Sequence, residues 1–145
     1  MHPYPNVYHA NAAGSATGPV AASSGELPAL ATAPPVEFDG PGATWSPETL
    51  LVAAIADCFI LTFRGVSHAA KFSWMTLECA VDGTLERVDG ITRFSRFATR
   101  ATLTVEAGAD QAKARALMER AERGCLVANS LQGERTLEVA ISEAT

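Results

Sequence analysis

The chain has 145 residues, 48% hydrophobic and 19% charged, with a formal net charge of −5; this suffices for one domain, residues 1–145, with a real core and no disulfide staples. Eleven scattered Lys and Arg against 16 Asp and Glu argue against nucleic acid as the main partner, because phosphate binding needs a concentrated basic face, and an anionic membrane surface is disfavoured for the same reason. The opening MHPYPNVYHANAAG lacks the basic patch and apolar run of an export signal, so the expected compartment is cytoplasmic.

Residues 1–45 are rich in Gly, Ala, Ser and Pro and predict short strands joined by turns, at Val20-Ala-Ala-Ser and Leu27 to Thr32, then a mobile loop at Asp39-Gly-Pro-Gly-Ala-Thr. Ser46-Pro47-Glu48-Thr49 is a helix start, with Ser46 as cap, Pro47 at the first helical position and Glu48 complementing the positive end of the dipole. The helix runs to about Lys71. Leu50, Leu51, Ala54, Ile55, Cys58, Phe59, Thr62 and Phe63 cover most of its circumference, so it must be buried by a sheet on one side and by something else, a second subunit, on the other. Its most apolar run, Thr49 to Phe63, contains Asp57 and is too short to span a bilayer.

From Trp74 the period changes to two, with Met75, Leu77, Cys79 and Val81 on one face. Val88-Asp89-Gly90 marks a hairpin turn. The second strand, Ile91 to Val105, turns Phe97, Ala101, Leu103 and Val105 inward; Arg93 falls on the same face, an imperfection that suggests a bulge. A second helix spans about Asp110 to Gly124, with Ala114, Leu117, Met118, Ala121 and Cys125 in one stripe and Gly124 as its stop. A last strand, Thr136 to Ser142, points Leu137, Val139 and Ile141 inward. The order predicts an α+β protein with largely antiparallel pairing.

Three cysteines, Cys58, Cys79 and Cys125, form no disulfide framework. Taken alone, Cys58 in an apolar helix reads as an inert core cysteine, and so does Cys125. Two stretches change that. Ser46-Pro47-Glu48-Thr49-Leu50-Leu51, followed ten residues after Glu48 by Cys58-Phe59, resembles the signature of the OsmC/Ohr family of osmotically inducible and organic hydroperoxide resistance proteins. Gly124-Cys125-Leu126-Val127-Ala128-Asn129 resembles the family's Cys-Pro-x-Ser-Asn segment. The resemblance runs from about Ala13 to Ser142.

It implies an OsmC-like fold: antiparallel sheets wrapped around long central helices in an intertwined homodimer. It also implies thiol-dependent reduction of organic hydroperoxides. Cys58 would attack the peroxide and become a sulfenic acid, Cys125 would condense with it to a disulfide, and a dithiol or thiol-protein reductant would restore both. No cofactor and no metal are needed. Glu48 lies about 15 Å of helix rise from Cys58, so the implied role for Glu48 is to approach Cys58 of the other subunit across a two-fold axis. Its plainer role is that of a residue complementing the helix dipole.

One departure from the family pattern stands out. The resemblance places an arginine in a Gly-Gly-Arg-x-Gly turn, where it pairs with the glutamate and favours the thiolate. Here the matching stretch is Gly14-Ser15-Ala16-Thr17-Gly18, with Ala16 in the arginine's place. Loss of a nearby cation should cost reactivity, and Asp57 would add to that cost if it faced the site. Arg64, Arg93, Arg96 and Arg100 are the candidate replacements, each otherwise a solvated charge. Ile55, Phe59 and Thr62 around Cys58 favour an organic peroxide. The rival expectation is a non-peroxidatic dimer that binds a small apolar or thiol ligand or senses redox state. Cys79 reads as a core strand residue, and His2, His9 and His68 show no metal-ligand spacing.

Overall fold

Ser46 and Thr49 close the start of the longest helix reciprocally. The Thr49 N–H donates to Ser46 Oγ at 3.1 Å and the Ser46 N–H to Thr49 Oγ1 at 2.9 Å. This is a capping box with Thr49 in the role usually taken by Glu or Gln. In the computed structural model, which describes all 145 residues, this helix is α1, Pro47–Ala69. The chain forms two compact units, Met1–Leu51 and Val52–Thr145.

The first unit holds three short antiparallel strands, β1 (Asn11–Ala13), β2 (Val20–Ser23) and β3 (Leu30–Thr32), in the order β1-β2-β3. A 3₁₀ turn at Val36–Phe38 follows. The Ala33 N–H then donates to the Trp45 carbonyl at 2.9 Å, which sets the approach to Ser46.

In the second unit, β4 (Thr76–Val88) and β5 (Ile91–Val105) form a long hairpin. Asp89 and Gly90 both have positive φ, 51° and 79°, the conformation of the tight turn that matches strand twist. Pairing slips between Thr84 and Leu85. Ser95 is the extra residue, and its hydroxyl bonds to the Glu86 carboxylate. The bulge reverses the side-chain phase. Phe94 therefore stacks on Phe97, with ring centroids 5.5 Å apart, while Arg93 is exposed; the expectation that Arg93 faces inward is corrected by this one residue.

After β5 come α2 (Gln111–Gly124), a four-residue helix α3 (Leu126–Asn129), and β6 (Glu134–Glu143). Asp110 caps α2 by accepting from the Lys113 N–H at 2.9 Å. β6 pairs with β5 in parallel, a second departure from the sequence reading. A helix-length crossover carries the chain back before it re-enters the sheet, so the strand it feeds runs parallel. The core joins α1, α2 and the sheet through Phe59, Phe63, Leu77, Ala101, Leu103, Val105, Ala114, Leu117, Met118 and Ala121. Gly83 lets α1 lie close on β4: a Cβ there would sit 2.7 Å from Val52 Cγ1 and 2.9 Å from Phe94 Cε1.

Only one stripe of α1, through Ile55, Cys58, Phe59, Phe63 and Ser67, is fully buried, and Leu61 is 52% exposed. By length and composition the whole helix is apolar enough to cross a membrane, unlike the shorter run read from the sequence. A helix covered by protein on both sides has the same composition.

Candidate thiol redox site

Cys58 lies at the start of the fourth turn of α1, and Cys125 is the residue between α2 and α3. Gly124 makes the approach of these elements close, because a Cβ there would lie 3.3 Å from Thr62 Cγ2 on α1. Sixty-seven positions apart in the chain, the two thiols are near enough that each shifts the ionisation of the other. Both cysteines are free thiols.

Their surroundings differ. Cys58 is 9% exposed and forms the floor of an open groove of about 430 Å³, lined also by Ala54, Asp57, Leu61, Thr62, Leu126 and Val127. Cys125 is completely buried and lies behind it, with Sγ 3.9 Å from the Ile55 carbonyl. Ile55 and Phe59, expected to line the groove, are instead buried at 1% and 0% exposure; a helix turns by about 100° per residue, and both point into the protein. The apolar walls are Ala54, Leu61, Leu126 and Val127. Asp57 is at the exposed rim.

Burial alone would raise the Cys58 pKa. It is outweighed by the Val127 N–H, the Cys125 thiol, the Thr62 hydroxyl and the Leu126 N–H, so Cys58 is held below the ordinary thiol value. The two backbone N–H groups belong to the start of α3 and favour the thiolate. Thr62 is the weakest of these in practice. Its Oγ1 lies 3.8 Å from the sulfur, but its one proton is donated to the Cys58 carbonyl at 2.7 Å. Burial pushes the Cys125 thiol up to about 11; the Ala128 N–H opposes this without forming a cap bond, and the negative charges of Cys58 and Glu122 add to it. Cys125 is therefore the protonated partner and the donor. Cys79 is pushed up to about 11 by burial, then by Glu122 and Cys125. It packs against the core, as expected.

Of the three residues singled out, two meet and one does not. Glu48 is ten residues before Cys58 on α1, and its Oε2 is buried without a hydrogen-bond partner. Within the chain no arginine acts on Cys58. Arg96 pairs with Glu134 at 3.7 Å and Arg100 with Asp82 at 2.5 Å. Arg64 and Arg93 are exposed. The sequence reading missed the donors of Leu126 and Val127, because a backbone N–H leaves no mark in a sequence beyond the turn that presents it.

A family model described as OsmC-like protein matches residues 40–140. Peroxiredoxin OsmC of Escherichia coli (strain K12) is 29% identical over 101 residues, 70% of this chain and 69% of that protein. The uncharacterized protein YmaD of Bacillus subtilis (strain 168) is 26% identical over 111 residues, 74% of each. Among solved structures, an organic hydroperoxide resistance protein OsmC from Legionella pneumophila superposes with a TM-score of 0.75 at 27% identity, over 97% of this chain and 99% of that one. An OsmC-like protein of unknown function from Vibrio cholerae reaches 0.84 at 14% identity, over 93% of this chain and 99% of that one, a likeness of fold alone. These relatives support a peroxiredoxin-like redox role, and the chain belongs to the OsmC-like protein family.

Proposed function

We propose that this protein reduces organic hydroperoxides in the cytoplasm as a homodimer, with Cys58 as the peroxidatic thiol and Cys125 as the resolving thiol. The supporting observation is the asymmetry of the pair. Cys58 lines an open groove and is held below the ordinary thiol value, whereas its neighbour Cys125 is fully buried and pushed up to about 11.

The steps balance without a cofactor. The Cys58 thiolate attacks one peroxide oxygen, the O–O bond breaks, and the alkoxide takes a proton to leave as alcohol. Cys125 then attacks the sulfenic sulfur, expelling water and forming the Cys58–Cys125 disulfide. A dithiol or thiol-protein reductant returns both thiols. Walls of Ala54, Leu61, Leu126 and Val127 favour an alkyl or aryl peroxide over hydrogen peroxide, since each buried CH₂ contributes about 0.8 kcal/mol. The half-exposed Leu61 is apolar surface for a second copy to cover. In such a dimer the buried, unpartnered carboxylate of Glu48 would belong to the site of the other subunit.

The absent arginine favours a second reading, a dimer that binds a small apolar or thiol ligand without peroxidase turnover. One experiment separates the two. One equivalent of cumene hydroperoxide is added to reduced protein, and free thiols are counted over seconds in wild type, Cys58→Ser and Cys125→Ser. Wild type should lose two thiols rapidly and Cys58→Ser none. Absent or slow loss in wild type would overturn the peroxidase and leave the binding dimer.

A further inference from the structure

The turn that carries Cys125 is bracketed by three side chains outside the thiol pair. Arg135, on the inward face at the start of β6, donates from Nε to Glu122 Oε1 at 2.9 Å and from Nη1 to Asn129 Oδ1 at 2.7 Å, and its Nη2 bonds to the Glu122 backbone carbonyl. Asn129 Nδ2 donates in turn to the Arg123 carbonyl at 3.0 Å. The Arg135 and Glu122 side chains are only 26% and 16% exposed. This bracket spans residues 122–129, the segment that holds Cys125 and the N–H groups facing both sulfurs.

Besides the burial of Cys125 and Ala128, few hydrogen bonds fix the placement of that segment. The bonds from the N–H groups of Asn129, Ser130 and Leu131 to Cys125, Val127 and Ala128, at 2.9, 3.1 and 3.1 Å, lie within α3 and its end. They keep its shape without tying it to α2. The one backbone bond across the junction, from the Cys125 N–H to the Glu122 carbonyl, is long at 3.4 Å. A four-residue helix cannot hold itself in place.

We propose that Arg135 is a positioning residue for the thiol chemistry: its guanidinium fork fixes the α2–α3 junction so that the start of α3 and Cys125 keep their places beside Cys58. The inference rests on the roles proposed for Cys58 and Cys125, but its test needs no peroxide turnover. The same cation offsets Glu122, whose carboxylate disfavours ionisation of Cys125 and Cys79. A lysine would keep that charge but, as a point donor on a flexible stem, would lose the fork.

The test uses the full chain as Arg135→Met, Arg135→Lys and Asn129→Ala. The pH dependence of Cys58 alkylation by iodoacetamide is read by peptide mass spectrometry, and the rate of Cys58–Cys125 closure is followed after addition of diamide. In Arg135→Met the Cys58 inflection should rise by about one unit, the size expected for one lost charge-assisted hydrogen bond, and closure should slow at least about fivefold. Arg135→Lys should move Cys58 nearly as far. Asn129→Ala, an exposed position, should move it less and in the same direction. A folded Arg135→Met with wild-type inflection and closure overturns the proposal; if that variant does not fold, a wild-type profile in Asn129→Ala overturns it. A shifted inflection in protein whose wild type ignores cumene hydroperoxide would sink the peroxidase and leave the positioning role standing.

Discussion

Replacing Cys125 by Ala, and separately by Ser, isolates the part of the Cys58 environment that its partner supplies. With both thiols neutral, the Cys125 S–H has the Ile55 carbonyl as an acceptor at 3.9 Å, a weak bond. When Cys58 ionises, the same proton turns to the thiolate. A hydrogen bond to a charged group contributes about 1.5–3 kcal/mol net, and a thiol is a weak donor, so the lower end applies. At about 1.36 kcal/mol per unit, Cys125→Ala should raise the Cys58 pKa by about one unit. Cys125→Ser keeps an O–H donor and should stay within a few tenths of a unit of wild type.

The assay must read the inflection rather than a single rate. A one-unit rise cuts the thiolate about tenfold at low pH, but the more basic thiolate is about threefold more nucleophilic, given a Brønsted slope near 0.4–0.5. The rate at pH 6 therefore falls only about threefold to fourfold, while the midpoint of the profile between pH 5 and 10 moves by the full unit. A Cys125→Ala midpoint equal to wild type, or a Cys125→Ser midpoint displaced as far as that of Ala, would refute the assignment of Cys125 as donor.

Three further outcomes follow from the geometry. Gly83→Ala puts a methyl between Val52 and Phe94 where contacts would be 2.7 and 2.9 Å; urea unfolding should show a loss of about 1–3 kcal/mol, and a neutral substitution would mean that α1 does not press on β4. Cys125 and Cys79 are both raised from 9.0 to about 11, chiefly by burial. An acid whose folded pKa is raised contributes fully below its unfolded pKa and loses that contribution as pH climbs to the folded value, so stability should fall between about pH 9 and 11. The fall is up to about 3 kcal/mol for Cys125 and less for part-exposed Cys79; a flat unfolding free energy over that window contradicts it. Cys58, lowered, acts in the opposite sense and loses its stabilising contribution as pH falls through its folded pKa. Finally, Leu61→Glu should convert the proposed dimer to monomer in sedimentation; Leu61 also walls the groove, so the readout is mass rather than thiol loss, and a variant that sediments as wild type would take Leu61 out of any interface.

The elements with local chemical signatures were legible in the sequence. Ser46 and Pro47 mark the start of α1 and Asp89-Gly90 the hairpin, because caps and positive-φ turns constrain residue type at the position itself; Gly124 does end α2, but as its last helical residue packed on Thr62 rather than as a positive-φ cap. The inward faces of β4 and β6 followed from period two. What escaped depends on partners distant in the chain. The Ser95 bulge moved Phe94 inward and Arg93 outward, a shift that alternation alone signals only as an irregularity. The direction of β6 is set by the crossover rather than by its own residues. Arg135 looks like any strand charge until Glu122 and Asn129 are placed beside it. Cys58 and Cys125 stood out through family resemblance; their meeting needed the fold.

The place of Ala16 then has a physical answer within one chain. A cation is one way to favour a thiolate; aligned N–H and S–H donors are another, and they carry no charge that must itself be desolvated. Here the donors come from the start of α3 and from Cys125, the thiol proposed to resolve the sulfenic acid. That choice couples activation to order of reaction, since the thiol that stabilises the Cys58 anion is the one held protonated behind it. Cys125 is fully buried and does not line the groove that Cys58 lines, so in the proposed reaction a peroxide entering that groove meets first the thiol whose pKa is lowered. In the proposed cycle, oxidation of a Cys58 thiolate would remove one of the causes that raise the Cys125 pKa. On that proposal, attack by Cys125 on the sulfenic acid would become easier only after the first step has occurred.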